Sequence, residues 1–183
     1  MPWILLVVAV LALSGCGGDR EDSPPPEPRS VVVIGDSLAE GTAPLLPRLL
    51  PGWEVRQDHQ RGRPLAVGMQ VLEATGLPPG AVLAFSLFTN DEPGDVAALE
   101  AAVRGAARRG CSVWATVVHP RDFGAANARL RALDRELDDV VVVDWAETVA
   151  RRPELVVPDG VHGTEEGYRV RAELYAGAIR RCR

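Results

Sequence analysis

A serine, a histidine and an aspartate stand at spacings that suit acyl chemistry. In "VVVIGDSLAEG", residues 31–41, an apolar β-branched run breaks on Gly35-Asp36-Ser37. A serine in a sharp turn after a strand, approaching a helix, can present its hydroxyl as a nucleophile, and its own N–H can point at the developing oxyanion. Near the other end, "PDGVHGT" holds Asp159 and His162. That spacing lets the carboxylate reach the imidazole, fix its tautomer and stabilise the imidazolium formed when His162 takes the serine proton. Asn90, in "FTND", can offer a side-chain amide to the oxyanion, and Gly62 a backbone N–H with no side chain in the way. Ser37 as a mere helix cap, His162 as a loop histidine and Asn90 as a turn residue are the plainer alternatives.

The elements between these residues decide whether they can meet. Apolar runs predict strands over 31–34, 53–56, 81–87, 112–118 and 140–143. Helical periodicity and end signals predict helices over 42–50, 66–74, 95–109, 125–137 and 165–180, the last capped by Thr164. Strands alternating with helices argue for a parallel sheet covered on both faces, with the short 53–56 strand near an edge. Sites in such sheets form beyond the carboxyl ends of the strands. Asp36, Ser37, Gly62, Asn90, Asp159 and His162 should share that rim with Arg63, His119 and Arg121, and Asp36, Arg63, His119 and Arg121 are weaker substrate-contact candidates. Asp36 should mainly brace the turn, and a solvated arginine is the plain reading of Arg63 and Arg121. Asp144-Trp145 reads as a strand end packing on the next helix.

Composition sets the class. The 183 residues suit one domain, and 46% hydrophobic with 25% charged residues is ordinary for a globular protein. All 20 basic residues are arginine, scattered or paired, and the net charge is −5, so nothing argues for a nucleic-acid partner. "WILLVVAVLALSGC" is too short to span a bilayer as a stable helix but suits the apolar core of an export signal. Leu13-Ser14-Gly15-Cys16 resembles a bacterial lipoprotein signal. The expected organisation is therefore a signal peptide over 1–15, a lipidated Cys16 with a Pro-rich tether over 16–30, and one domain over 31–183. The lipid would anchor a monomer to the outer face of the bacterial cytoplasmic membrane. Such signals require a basic residue before the apolar run, none stands here, and a start codon placed too far downstream would account for that. Cys111 and Cys182 can pair in an exported protein or stay as separate thiols. They form no metal-ligand pattern, and the expected chemistry needs no metal or cofactor.

These motifs resemble the SGNH hydrolases, also called GDSL esterases and lipases. The resemblance rests on Gly35-Asp36-Ser37-Leu38, Gly62, Asn90 and Asp159-Gly160-Val161-His162, and runs from about residue 31 to the end. It implies a three-layer α/β/α sandwich with a five-stranded, flavodoxin-like parallel sheet. It also implies a nucleophile at Ser37, a base at His162, an orienter at Asp159, and oxyanion donors at Ser37, Gly62 and Asn90. Gly68 competes with Gly62, whose Gly-Arg context favours it. Phe88 stands where the family has a glycine two residues before the asparagine, and is expected to narrow the pocket or shift the loop.

A narrower similarity, carried by "VVHPRDFGAANARLRAL", "VVVDWAET" and "DGVHGTEEGYRVRAELYA", is to the extracellular SGNH domains of membrane acyltransferases that O-acetylate peptidoglycan. It implies an acylated glycan as a substrate class beside small acyl esters. The expected activity is hydrolysis of short acyl esters, since no large lid insertion interrupts the domain. Acyl transfer to a glycan is the alternative, and would call for a separate membrane acyltransferase or a soluble acyl donor. A non-catalytic envelope-binding module on the same fold is the third reading.

Overall fold

The structure is a computed structural model that describes residues 29–182. The expected signal peptide, Cys16 and the tether up to residue 28 lie outside the described residues.

Five strands form one parallel sheet: β1 (Arg29–Gly35), β2 (Trp53–His59), β3 (Val82–Ser86), β4 (Ser112–Ala115) and β5 (Val140–Val143), in the order β2-β1-β3-β4-β5. The helices are α1 (Ser37–Thr42), α2 (Leu46–Leu49), α3 (Leu65–Ala74), α4 (Val96–Ala107), α5 (Gly124–Glu136), α6 (Trp145–Arg151) and α7 (Glu165–Arg181), with a 3-10 turn at Pro153–Leu155. This is the expected three-layer α/β/α sandwich, with β2 at an edge.

The period-two alternation of a strand splits the core into two layers. Val32, Ile34, Leu83, Phe85 and Trp114 face α3, α4 and α5, while Val31, Val33, Val82, Ala84 and Val113 face α2, α6 and α7. Both layers are apolar because helices cover both faces. The interior strand β1, between β2 and β3, is buried along nearly its whole length and delivers its carboxyl end, with Ser37, to one rim.

The expected helix over 42–50 is two short helices instead. α1 begins at Ser37 itself, and Pro47 stands in the first turn of α2, where a missing N–H costs nothing. β4 stops at Ala115, three residues short of the expected end. The chain after β5 is a helix that the sequence reading left out: Asp144 accepts the Glu147 N–H at 3.2 Å and caps α6. Cys111 and Cys182 are joined in a disulfide, which ties the end of α7 to the chain entering β4 across a separation of 71 residues.

Candidate active site

The turn that carries Ser37 is built from the core outward. A Cβ on Gly35 would collide with the Ala39 methyl and press on the Ser86 carbonyl oxygen at 3.0 Å, so close approach fixes glycine there. The next N–H, of Asp36, donates to that same carbonyl at 2.9 Å. The Asp36 carboxylate accepts the Leu38 N–H at 2.9 Å, capping α1, and the Asn90 Nδ2 at 3.1 Å. Asp36 is wholly buried. Burial pushes its carboxyl up, against the Leu38 N–H and the charge of Arg171, which pull it down. Ser37 is thus the first residue of α1, a position whose N–H has no intrahelical acceptor.

His162 arrives on the loop before α7. That loop is pinned where Val157 donates to the His162 carbonyl at 2.9 Å and Thr164 to the Leu155 carbonyl at 2.9 Å. The Thr164 hydroxyl accepts the Gly167 N–H and caps α7 as expected. Asp159 Oδ1 accepts the Val161 and His162 N–H groups at 2.7 and 2.9 Å. Its Oδ2 lies 2.7 Å from His162 Nδ1, and His162 Nε2 lies 2.9 Å from Ser37 Oγ. With Nδ1–H donating to the carboxylate, Nε2 is the acceptor that faces the serine. The imidazole first, then the two backbone N–H groups, hold the Asp159 carboxyl at about 2, well below the usual carboxylate value.

These side chains open onto a cavity of about 570 Å³. Ser37, Gly62, Asn90 and His162 line it, as do Glu40, Gly41, Arg61 and Tyr168. Gly62 has φ +70°, the left-handed region that favours glycine, whereas Gly68 lies inside α3 beneath Leu87 with its N–H bonded to Pro64. Of the two glycines, only Gly62 lines the cavity. Asn90 departs from the simplest expectation. Its Nδ2 donates to Asp36 and, at 3.3 Å, to the Arg63 carbonyl, so an oxyanion must share or displace that second, longer bond.

The weaker rim candidates do not line this cavity. Asp36 lies beneath it. Arg63 is buried and committed to Asp58, donating to its Oδ1 at 2.5 Å and its carbonyl at 2.9 Å. Arg121 binds Glu92 and the Asp91 carbonyl and lies over the Phe123 ring. His119 accepts the Arg121 N–H at Nδ1 and lines a separate shallow depression beside Phe123. Each arginine found an acidic partner nearby in space, which removes it as a free anion receptor.

Phe88 has φ +78°, a conformation bulky residues rarely adopt, in the place where glycine would cost nothing. Its ring neither narrows the cavity nor displaces Asn90. It turns into the core, edge-on to Phe123 at 5.8 Å between centroids, where burial offsets the backbone strain. Four of the lining residues were not assigned to the site from sequence: Glu40, Gly41, Arg61 and Tyr168. Tyr168 packs its ring directly on Gly41, where any side chain would collide with it, and Glu40 pairs with Arg61 through two bonds of 2.7 and 3.0 Å. Tyr168 stands near the start of α7, where spacing alone does not mark a residue as facing the cavity.

No family model matches the sequence, and no curated protein is similar to it. Solved structures are. The C-terminal catalytic domain of Streptococcus pneumoniae peptidoglycan O-acetyltransferase A, carrying a methylsulfonyl adduct, is 20% identical with a TM-score of 0.66, over 85% of this chain and 92% of that one. The fold is that of the SGNH hydrolases. A member of the lipolytic G-D-S-L family from Veillonella parvula shares this SGNH fold at 16% identity and a TM-score of 0.65, over 81% of this chain and 96% of that one. A GDSL-like lipase from Bacteroides thetaiotaomicron shares it at 19% identity and a TM-score of 0.63, over 83% and 88%.

Proposed function

We propose that this protein is an exported serine esterase that cleaves short acyl esters, acetyl esters first among them, through Ser37, His162 and Asp159. One observation carries the reading: an unbroken line from Ser37 Oγ to His162 Nε2 at 2.9 Å and from His162 Nδ1 to Asp159 Oδ2 at 2.7 Å, opening on a cavity. Ser37 Oγ attacks the ester carbonyl as its proton passes to Nε2. The oxyanion draws on the N–H groups of Ser37 and Gly62 and on the Asn90 amide. The imidazolium, stabilised by Asp159, gives its proton to the leaving alcohol. His162 then activates a water, which releases the acid and restores the serine. No metal or cofactor enters these steps. A lipid on Cys16 and the tether that follows would hold the domain at the outer face of the cytoplasmic membrane, within reach of acylated envelope glycans.

Transfer of the acyl group to a glycan hydroxyl is the second reading, favoured by the likeness to the peptidoglycan O-acetyltransferase domain. The two differ only in which acceptor meets the acyl-enzyme. Hydrolysis of p-nitrophenyl acetate and of longer acyl esters, beside Ser37→Ala and with or without a glycan acceptor, tests both. Acetate-selective turnover lost in the variant supports the serine mechanism, and acetylated glycan formed at the expense of acetate supports transfer. Equal activity in both proteins, or none together with failed phosphonate labelling of Ser37, would move the binding-module reading to the front.

A further inference from the structure

Arg171 stands in the core, on the inner face of α7, in a stripe whose neighbours are Ala172, Tyr175, Ala176 and Ile179. Packing alone would fill that position with leucine or methionine, because a cation without a carboxylate partner is costly to bury. Among the described residues no carboxylate lies within ion-pair distance of it, and its Nε and Nη1 meet no hydrogen-bond acceptor. The guanidinium rests instead against two aromatic faces, 5.4 Å from the centre of the Trp145 ring and 5.2 Å from that of Tyr175. Its Nη2 donates to Ser86 Oγ at 3.0 Å. Ser86 Oγ lies 3.5 Å from Asp36 Oδ1, and the Ser86 carbonyl takes the Asp36 N–H at 2.9 Å.

We propose that Arg171 is a positioning residue: through Ser86 it holds the Asp36 carboxylate, and with it the nucleophile turn and Asn90, in the arrangement the reaction uses. The inference rests on the serine-esterase reading. Asp36 does two things for the site, accepting Leu38 N–H so that α1 starts at Ser37, and accepting Asn90 Nδ2 so that the amide stands at the cavity. Both are strongest for the ionised carboxylate, whose oxygens only accept. A protonated Asp36 would turn one oxygen into a donor and compete with one of these two N–H groups. The groups that face Asp36 are the Leu38 and Ala39 N–H groups from α1, Ser86 from β3, Asn90 from the following loop, and Arg171, Tyr175 and Tyr168 from α7. Arg171 is the cation among them. The geometry of the turn that carries Ser37 would thus depend on a charge placed 85 residues beyond Ser86 in the chain.

The test uses the full chain, with p-nitrophenyl acetate and with urea melts at stepped pH, comparing the natural protein with Ser37→Ala, Arg171→Met, Arg171→Lys and Ser86→Ala. Arg171→Met is expected to lower kcat about tenfold, as a slight misplacement of the nucleophile does, with KM within about twofold. Without the cation Asp36 holds its proton more tightly, so in urea melts at stepped pH the loss of stability that its ionisation causes should run on to a higher pH in Arg171→Met. Arg171→Lys should restore most of both effects. In an Asp36→Asn background, where no charge remains to hold, Arg171→Met should cost nothing further. If Arg171→Met does not fold, Ser86→Ala carries the same test and should move the end of that loss in the same direction. An unmoved loss in the Arg171 or Ser86 variants, or an undiminished cost in the Asp36→Asn background, overturns the proposal. If Ser37→Ala is inactive while the Arg171 variants match the natural protein, this inference alone falls. If Ser37→Ala keeps full activity, the esterase reading falls and takes this inference with it.

Discussion

The two halves of the site are built in opposite ways. The nucleophile half grows out of the core: Asp36 is wholly buried, Ser86 nearly so, and Arg171 behind them is 3% exposed. The base half sits in a loop, and the side chains of His162 and Asp159 are 43% and 48% exposed. Contacts on the nucleophile side are long-range, 50 residues from Asp36 to Ser86 and 54 from Asp36 to Asn90. Those on the base side close within three residues. The halves meet in one hydrogen bond across 125 residues. The base half can be assembled by local geometry alone, whereas the nucleophile half exists only once β1, β3 and α7 have packed. Truncating the side chains of the first should therefore cost activity and leave the fold, whereas truncating the buried side chains behind Ser37 should cost stability as well.

The largest expected effect separates chemistry from folding altogether. Ser37→Ala should lower kcat about a thousandfold or more with no shift in the urea midpoint, because the proposed mechanism makes the hydroxyl the nucleophile and Asp36, not Ser37, caps α1. Asp159→Asn should cost about a hundredfold or more in kcat, since the imidazole loses its orienting acceptor, again with a nearly unchanged midpoint. Loosening the core half reverses the pattern. Cys182→Ser releases the far end of α7 and should cost about 2–4 kcal/mol in urea unfolding, with kcat largely retained at temperatures where the protein stays folded. Asp36→Ala should cost about 1–3 kcal/mol, from a lost cap and the unpaired Asn90 amide. The same truncation at exposed Asp159 should cost about 1 kcal/mol or less. If the two truncations destabilise equally, the division between a core-built and a loop-built half is wrong.

The smallest effect concerns pH, and its sign differs between the halves. The folded Asp159 carboxyl titrates at about 2, below its ordinary 3.8, so the stability it contributes is complete above 3.8 and is lost as pH falls toward 2. The folded Asp36 carboxyl titrates above 3.8, so its charge costs stability at higher pH, and that cost is relieved as pH falls through the raised value toward 3.8. Urea melts at stepped pH should therefore show Asp159→Asn flattening the loss between 3.8 and about 2. Asp36→Asn should remove an opposing slope just above 3.8.

The amino-acid sequence by itself determined the alternation of apolar strands and periodic helices, the five-stranded parallel sheet, the edge position of the second strand, and the rim on which polar residues gather. These are written in local periodicity, which a strand or helix obeys whatever surrounds it. Asp159 and His162 were legible for the same reason, since their bond closes within a short loop. Only the tertiary structure decided the rest. It placed Gly62 rather than Gly68 at the cavity, because one glycine ends in an open loop and the other under Leu87. It withdrew Arg63 into an ion pair with nearby Asp58 and Arg121 into one with Glu92, 29 residues away, and so took both from the cavity. It turned Phe88 inward, joined Cys111 to Cys182, brought Tyr168 to the cavity, and set Arg171 behind the nucleophile. Each of these depends on which side chains meet across the sheet, and that is fixed by packing, not by the order of residues along any one element.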